Sequence, residues 1–283
     1  MSNSGSTLSQ ELLDAIDHMQ AFPASVQQLL SLSQDPTSAP RDLVDVIQRD
    51  PVLTIKVLRV VNSAYYNLPR QIASVDHAVV YLGLNTVKHL ALSLISLGMT
   101  PTNPPAAIDP NAYLRHSLAT AAVARQLALR FPELESQDLF IAGLLHDFGK
   151  LVLAHIMPIP FKKAVEYCVW HETDLHDALL AVTGINQAEV AALLLQRWHF
   201  PRMLWQAIGN QHESAHTTEP ATLCLYAANQ LAKQMGMDFY GAASRQAWSA
   251  GAEQALGGSL LDVMASLGDI WALVRDAQRC FEC

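Results

Sequence analysis

Apolar residues recur three and four positions apart through nearly the whole chain, and each break in that rhythm carries residues that start or stop a helix. The stretch SQELLDAIDHMQ keeps the rhythm, as does RDPVLTIKVLRVVNSAYY, where Asp50 reads as a cap and Pro51 as the first helical residue. In SVDHAVVYLGLNTVKHLALSLISLG, Ser74 and Asn85 read as caps and Gly83 and Gly98 as stops, so two helices are expected. No segment alternates apolar and polar residues as a half-buried strand does. The expected fold class is therefore all-α.

One stretch cannot be helical throughout. TPTNPPAAIDP, residues 100–110, holds four prolines and reads as a linker. It divides the chain into an N-terminal extension with a first helix over 1–19, a helical module over 20–99, a second helical module over 111–240 and C-terminal helices over 241–283. The last segment reads as two helices split at Gly257 and Gly258 that pack back on the body, and the N-terminal module is expected to pack on the C-terminal bundle.

A chain of 283 residues can bury a sizeable core, so stability does not demand a metal. Charged residues make up only 16% and the net charge is −8, which disfavours nucleic-acid binding through broad phosphate neutralisation. The N-terminus lacks a basic start followed by an apolar run, and the stretch over 89–99, taken as the longest apolar one, is too short to cross a bilayer. The expectation is a cytoplasmic protein without a membrane partner. Cys168 and Cys224 sit in apolar helical patterns as small hydrophobes, while Cys280 and Cys283 form a lone CxxC, a weak zinc or redox signal.

Chemistry concentrates in GLLHDFGKLVLAH, residues 143–155, where His146 and Asp147 stand side by side in an apolar run with Lys150 one turn later. Each polar group needs a partner to offset its desolvation. Upstream, His116 lies near the start of the apolar-faced helix YLRHSLATAAVARQLALRF. Imidazole with carboxylate suits iron, manganese or zinc. A histidine on an apolar helix is, however, more often a satisfied core residue. Lys150 could meet a phosphate, although a surface lysine pairing with Asp147 is the plainer expectation.

Elsewhere the plain readings also lead. Asn62, Ser63, Tyr65 and Tyr66, with Arg70 as an anion contact, could form a recognition loop, but a self-bonded turn with packed tyrosines is expected. Trp170, Trp198, Trp205 and Trp248 are expected in the core. His171, Glu172, Thr173, His176 and Asp177 read as a solvated face rather than a second metal site.

The segments FPASVQQLLSLSQDP, LVDVIQRDPVLTIKVLRVVNSAYYNLPRQIASVDHAVVYLGLNTVKHLALS, RHSLATAAVARQLA, AGLLHDFGKLVLA and AEVAALLLQRWHFPRMLWQAIGNQH occur in fixed order. Together, over roughly residues 20–270, they resemble the HDOD family, relatives of the HD-domain phosphohydrolases. The resemblance implies an HDOD-type helical fold. In the hydrolytic relatives a first His, a His-Asp pair and a later Asp hold divalent metal, with further His ligands in two-metal members; His116, His146 and Asp147 match the first three.

The remaining positions depart. Gln187 stands where many relatives have a histidine, Asn229 aligns with the late aspartate, and Gln211 replaces the neighbour of His212 in a double histidine whose following GYP residues are absent. A neutral amide brings no charge to offset a cation's dehydration. The resemblance with these departures implies a degenerate site that has lost its metal geometry, no resident cofactor, and at most a weak Fe, Mn or Zn ion.

The leading expectation is a non-catalytic signalling module that contacts a signalling protein on a separate chain, in a two-component or cyclic di-GMP setting, with a nucleotide ligand compatible and the oligomeric state open. The alternative is a metal-dependent phosphohydrolase of a nucleotide or cyclic dinucleotide with an incomplete ligand set. A DNA-contacting module is disfavoured by the acidic balance.

Overall fold

The computed structural model of the protein describes residues 28–29, 31–32, 39–62, 66, 68–84, 86–87, 90–91, 108–198, 200–212, 219–238 and 248–281, without the side chains of 52 and 279–281. No strand occurs among them. The N-terminal helices with bounds within the described residues are α1 (Pro40–Arg49), α2 (Pro51–Val61) and α3 (Val75–Leu82), and residues 28–29, 31–32, 84, 86–87 and 90–91 are also helical. The bundle comprises α4 (Pro110–Ala128), α5 (Ser136–Leu145), α6 (Phe148–Ile156), α7 (Pro158–His171), α8 (Leu175–Thr183), α9 (Gln187–Arg197), α10 (Arg202–Gly209) and α11 (Pro220–Gln234). Three helices close the chain: α12 (Ala250–Leu256), α13 (Leu260–Ser266) and α14 (Ile270–Phe281).

Capping chemistry sets these boundaries. Asp50 Oδ1 accepts from the Leu53 amide at 3.0 Å, so Pro51 costs α2 no hydrogen bond. Ser74 Oγ caps α3, and Gly83 ends it at φ +82°. The expected cap at Asn85 and stop at Gly98 lie outside the described residues, as do the first helix and 100–107 of the linker. The linker's last proline is helical: Asp109 caps α4 through the Asn111 amide, and Pro110 occupies its first turn.

The C-terminal region holds three helices where two are expected. The break at Gly257 and Gly258 is present, and a second follows at Gly268, φ +72°, after which Asp269 accepts from the Ala272 amide. These helices do pack back. Arg130 donates to the Leu256 carbonyl at 2.8 Å and to Ser266 Oγ, and α14 packs on α4 while reaching α2. One continuous core runs from Leu43, Val57 and Ile72 to Leu118, Leu145 and Leu231, so the N-terminal helices and the bundle pack together.

α4 is the axis of the bundle, packed by α5, α11 and α14. Its small residues let α5 press close: a Cβ on Gly143 would lie 2.4 Å from Ala121 Cα. Gly149 does the same for α6, where a Cβ would lie 1.9 Å from the Gln187 carbonyl oxygen at the start of α9. The span Ser136–Ile156 is long and apolar enough to cross a membrane, unlike the shorter 89–99 stretch, yet 89% of its most apolar window is buried inside the protein. Its apolarity is that of a core element.

Candidate functional site

His146 and Asp147 do not share a helix face; they form the turn where α5 ends and α6 begins. His116 arrives from the second turn of α4, and Lys150 from the first turn of α6. His116, His146 and Asp147 are 0% exposed and Lys150 is 6% exposed, so Lys150 is not the surface lysine expected from its type. Gly149 holds this turn against the α9 backbone.

Backbone carbonyls fix both imidazoles. His116 Nδ1 lies 2.9 Å from the Met237 carbonyl oxygen, and His146 Nδ1 lies 2.7 Å from that of Gly143. A carbonyl only accepts, so both Nδ1 atoms are protonated and, in neutral rings, both Nε2 atoms carry lone pairs. Those two Nε2 atoms face each other at 3.1 Å. Asp147 Oδ2 lies 3.5 Å from the first and 3.3 Å from the second, while its Oδ1 is buried without a hydrogen-bond partner.

Burial alone would raise the Asp147 carboxyl, but His146, Lys150 and His116 outweigh it and hold it well below its ordinary value. His116 is held well below the usual histidine range, first by burial and then by His146. Asp147 also pushes the buried Tyr113 hydroxyl upward, after burial itself. Tyr113 was legible only as a core aromatic, although it lies one turn before His116.

The donor set fits a single divalent ion. Neighbouring donors held about 2.0–2.2 Å from one ion lie about 3–3.5 Å apart, which is the size of this triangle. The resemblance implies a site without its metal geometry; in the structure, main-chain carbonyls hold the two imidazoles of an ion-sized triangle. Opposing the ion, Lys150 Nζ lies 2.7 Å from Asp147 Oδ2, the same oxygen that faces both rings.

Gln211 and Gln187 act as structural amides, the first against the triad itself. Gln211 Nε2 donates to the His146 carbonyl at 2.8 Å, and Gln187 Nε2 donates to His212 Nε2 at 3.0 Å. Both amide oxygens are buried without a partner among the described residues. Asn229 is buried on α11, with its Oδ1 likewise unpartnered and no hydrogen bond to the triad.

His176 departs from the solvated-face expectation: it is half-buried, and its ring stacks on His212 at 3.8 Å, whereas His171, Glu172 and Asp177 are exposed. Trp170 is 84% exposed rather than core. Trp198 packs on Phe148, and Trp248 stacks on Tyr226. Asn62 clamps Ile72 through both main-chain groups, and Arg70 donates to the Tyr81 hydroxyl at 2.6 Å. Ser63 and Tyr65 lie outside the described residues, as do Cys283 and the Cys280 side chain; Cys168 and Cys224 are buried free thiols.

A helical bundle carrying a His and a His-Asp pair at a helix junction has the architecture of the HD-type proteins. The profile of the HDOD domain matches residues 19–214, well over half the chain, and the protein belongs to the HDOD family. A solved HDOD domain protein of unknown function from Geobacter sulfurreducens is similar at 22% identity with TM-score 0.80, covering 100% of both chains. A structure from Shewanella amazonensis named as a candidate phosphohydrolase has TM-score 0.76 at 24% identity, covering 96% of this chain and 98% of the other. One from Marinobacter aquaeolei named as a candidate signal transduction protein has TM-score 0.75 at 24% identity, covering 99% and 66%. These likenesses show the fold. An uncharacterised protein from Treponema pallidum is 24% identical over 213 residues, 75% of this chain, which spans 41% of that relative's length.

Proposed function

We propose that this HDOD protein is a non-catalytic signalling module that acts by contact with a protein on a separate chain. The observation that carries the reading is the Lys150 ammonium 2.7 Å from Asp147 Oδ2. An internal cation already sits on the only carboxylate of the triad, and the neighbouring amides of Gln187, Gln211 and Asn229 supply no further negative charge. Metal-assisted hydrolysis needs a cation that acidifies its water and neutralises phosphoryl charge, and it rests on ligands that hold it firmly. The amides of Gln187 and Gln211 instead donate hydrogen bonds to His212 and to the His146 carbonyl.

One observation favours a second reading. The ion-sized triangle of His116, His146 and Asp147 supports a metal-dependent phosphohydrolase, as one structural neighbour is named. When bound, an iron, manganese or zinc ion would supply Lewis acidity; His116 and His146 would hold it through Nε2, and Asp147 would balance its charge.

Affinity capture from native extract, with and without added cyclic di-GMP, tests the proposal. Retention of a discrete signalling partner by a protein that turns over no nucleotide is expected. Iron- or manganese-dependent product release with no partner retained overturns it.

A further inference from the structure

Beside the triad, α8, α9 and α10 enclose a cleft of about 430 Å³ lined by His176, Asn186, Glu189, Gln196, Trp205 and His212, among others. Its volume lies in the range of ligand-binding cavities rather than packing defects. The His176 and His212 rings stack at 3.8 Å with an interplanar angle of 25°, and the Trp205 indole is half-buried in the wall.

Charge narrows what the cleft accepts. Among the described lining residues Glu189 is the only acidic side chain, and none is Lys or Arg. Burial lowers both imidazoles below the ordinary histidine value, which leaves them neutral. Asp174, Asp177 and Glu189 act on His176 from nearby and oppose its shift, while the cation acting there, Lys150, is paired with Asp147. A phosphate would meet the Glu189 carboxylate unfavourably. A planar cation would be drawn in, through the carboxylate and an aromatic wall.

The described lining offers further acceptors, because the side-chain amides of Asn186, Gln196 and Asn210 line the same cleft as the Glu189 carboxylate. A guanidinium presents several N–H donors in one plane and no acceptor, complementing a carboxylate and amide oxygens. Lysine offers a compact, strongly hydrated ammonium without that planar fork.

Resting on the reading that the protein acts by protein contact, we propose that this cleft receives an arginine side chain of the partner. The guanidinium pairs with Glu189 and lies against Trp205, and the remaining volume takes the flanking main chain. The partner is thus recognised by a projecting arginine, not by an anionic group.

The full-length protein titrated with N-acetyl-L-arginine N-methylamide, followed by the Trp205 indole N–H in NMR spectra, tests this. Saturable binding is expected, at least severalfold tighter than for the lysine counterpart. Glu189→Gln should weaken it about tenfold by removing a charge-assisted pair. Gln retains the capping-box geometry with Asn186, so the fold should hold, and an unchanged melting temperature checks that. Absence of saturation, equal binding of the lysine probe, equal binding by a folded Glu189→Gln protein, or preferential binding of guanosine each overturns the proposal. Manganese-dependent phosphodiester turnover would instead remove the protein-contact reading, whereas lack of arginine binding without turnover removes the cleft assignment alone.

Discussion

His116 Nε2 and His146 Nε2 face one another at 3.1 Å while both Nδ1 protons are committed to main-chain carbonyls. Two neutral rings so arranged would oppose lone pair to lone pair. A divalent ion held between them would relieve that opposition, and 3.1 Å is the separation of two donors on one ion. Lys150 and Asp147 decide how much room remains for the ion.

Lys150→Met tests that competition. Removing the ammonium leaves the buried Asp147 carboxylate short of a partner, at a cost of about 3–5 kcal/mol in chelated protein. Added manganese should recover part of the loss, because an ion bound only by the folded state stabilises it. Urea unfolding with and without manganese measures both; an unchanged midpoint in chelator would mean that the ion pair carries little weight.

Gly149→Ala should destabilise strongly. The new methyl would lie 1.9 Å from the Gln187 carbonyl oxygen, so main chain rather than a flexible side chain must move. A loss of about 3 kcal/mol is expected, at the upper end for overpacking, with the α6–α9 contact and the Gln187–His212 bond disturbed together. Thermal unfolding at the parent's temperature contradicts this.

The two shifted groups of the triad give the pH dependence a definite sign. The folded-state value of His116 is lowered, chiefly by burial, so below about pH 6.5 the unfolded chain takes up a proton that the folded one refuses. Stability from this group is full above that pH and falls on acidification by up to about 1.4 kcal/mol per unit, until the folded His116 titrates. Asp147 is also depressed, so its contribution is present above about pH 4 and is lost only as pH falls further, through its folded value. Urea unfolding in chelator should show stability falling from pH 7 to 5, less steeply in His116→Asn; identical profiles would refute the assignment.

Gln187→His with Asn229→Asp asks whether the altered positions border a recoverable site. The pair restores an imidazole and a carboxylate, and the carboxylate brings charge to offset the ion's dehydration. Manganese titration of the apo proteins should show tighter binding by the double variant. Equal affinities would mean that these positions do not converge on the triad.

The helices were legible because their signals are local. Ser74, Asp50 and the Gly257 break act through bonds within a few residues, and apolar spacing reports burial directly. Gly268 escaped because a single glycine in an apolar rhythm gives no warning that it adopts φ +72°. In the site, residue identities were readable, but their partners were not. The Met237 carbonyl that orients His116 lies 121 residues away, and the His176–His212 stack joins separate helices. Lys150 was misplaced for the same reason: lysine is usually exposed, and only the packing of α6 against its neighbours buries this one.

On the proposed function the triad does not run hydrolysis, and the most direct measurement is manganese- or iron-dependent cleavage of phosphodiesters, cyclic di-GMP included, by the parent and by Asp147→Asn. Lys150 on Asp147 Oδ2 and the neutral amides at Gln187, Gln211 and Asn229 predict no turnover above the protein-free rate in either. Clear turnover by the parent, abolished in a folded Asp147→Asn protein, would contradict the account.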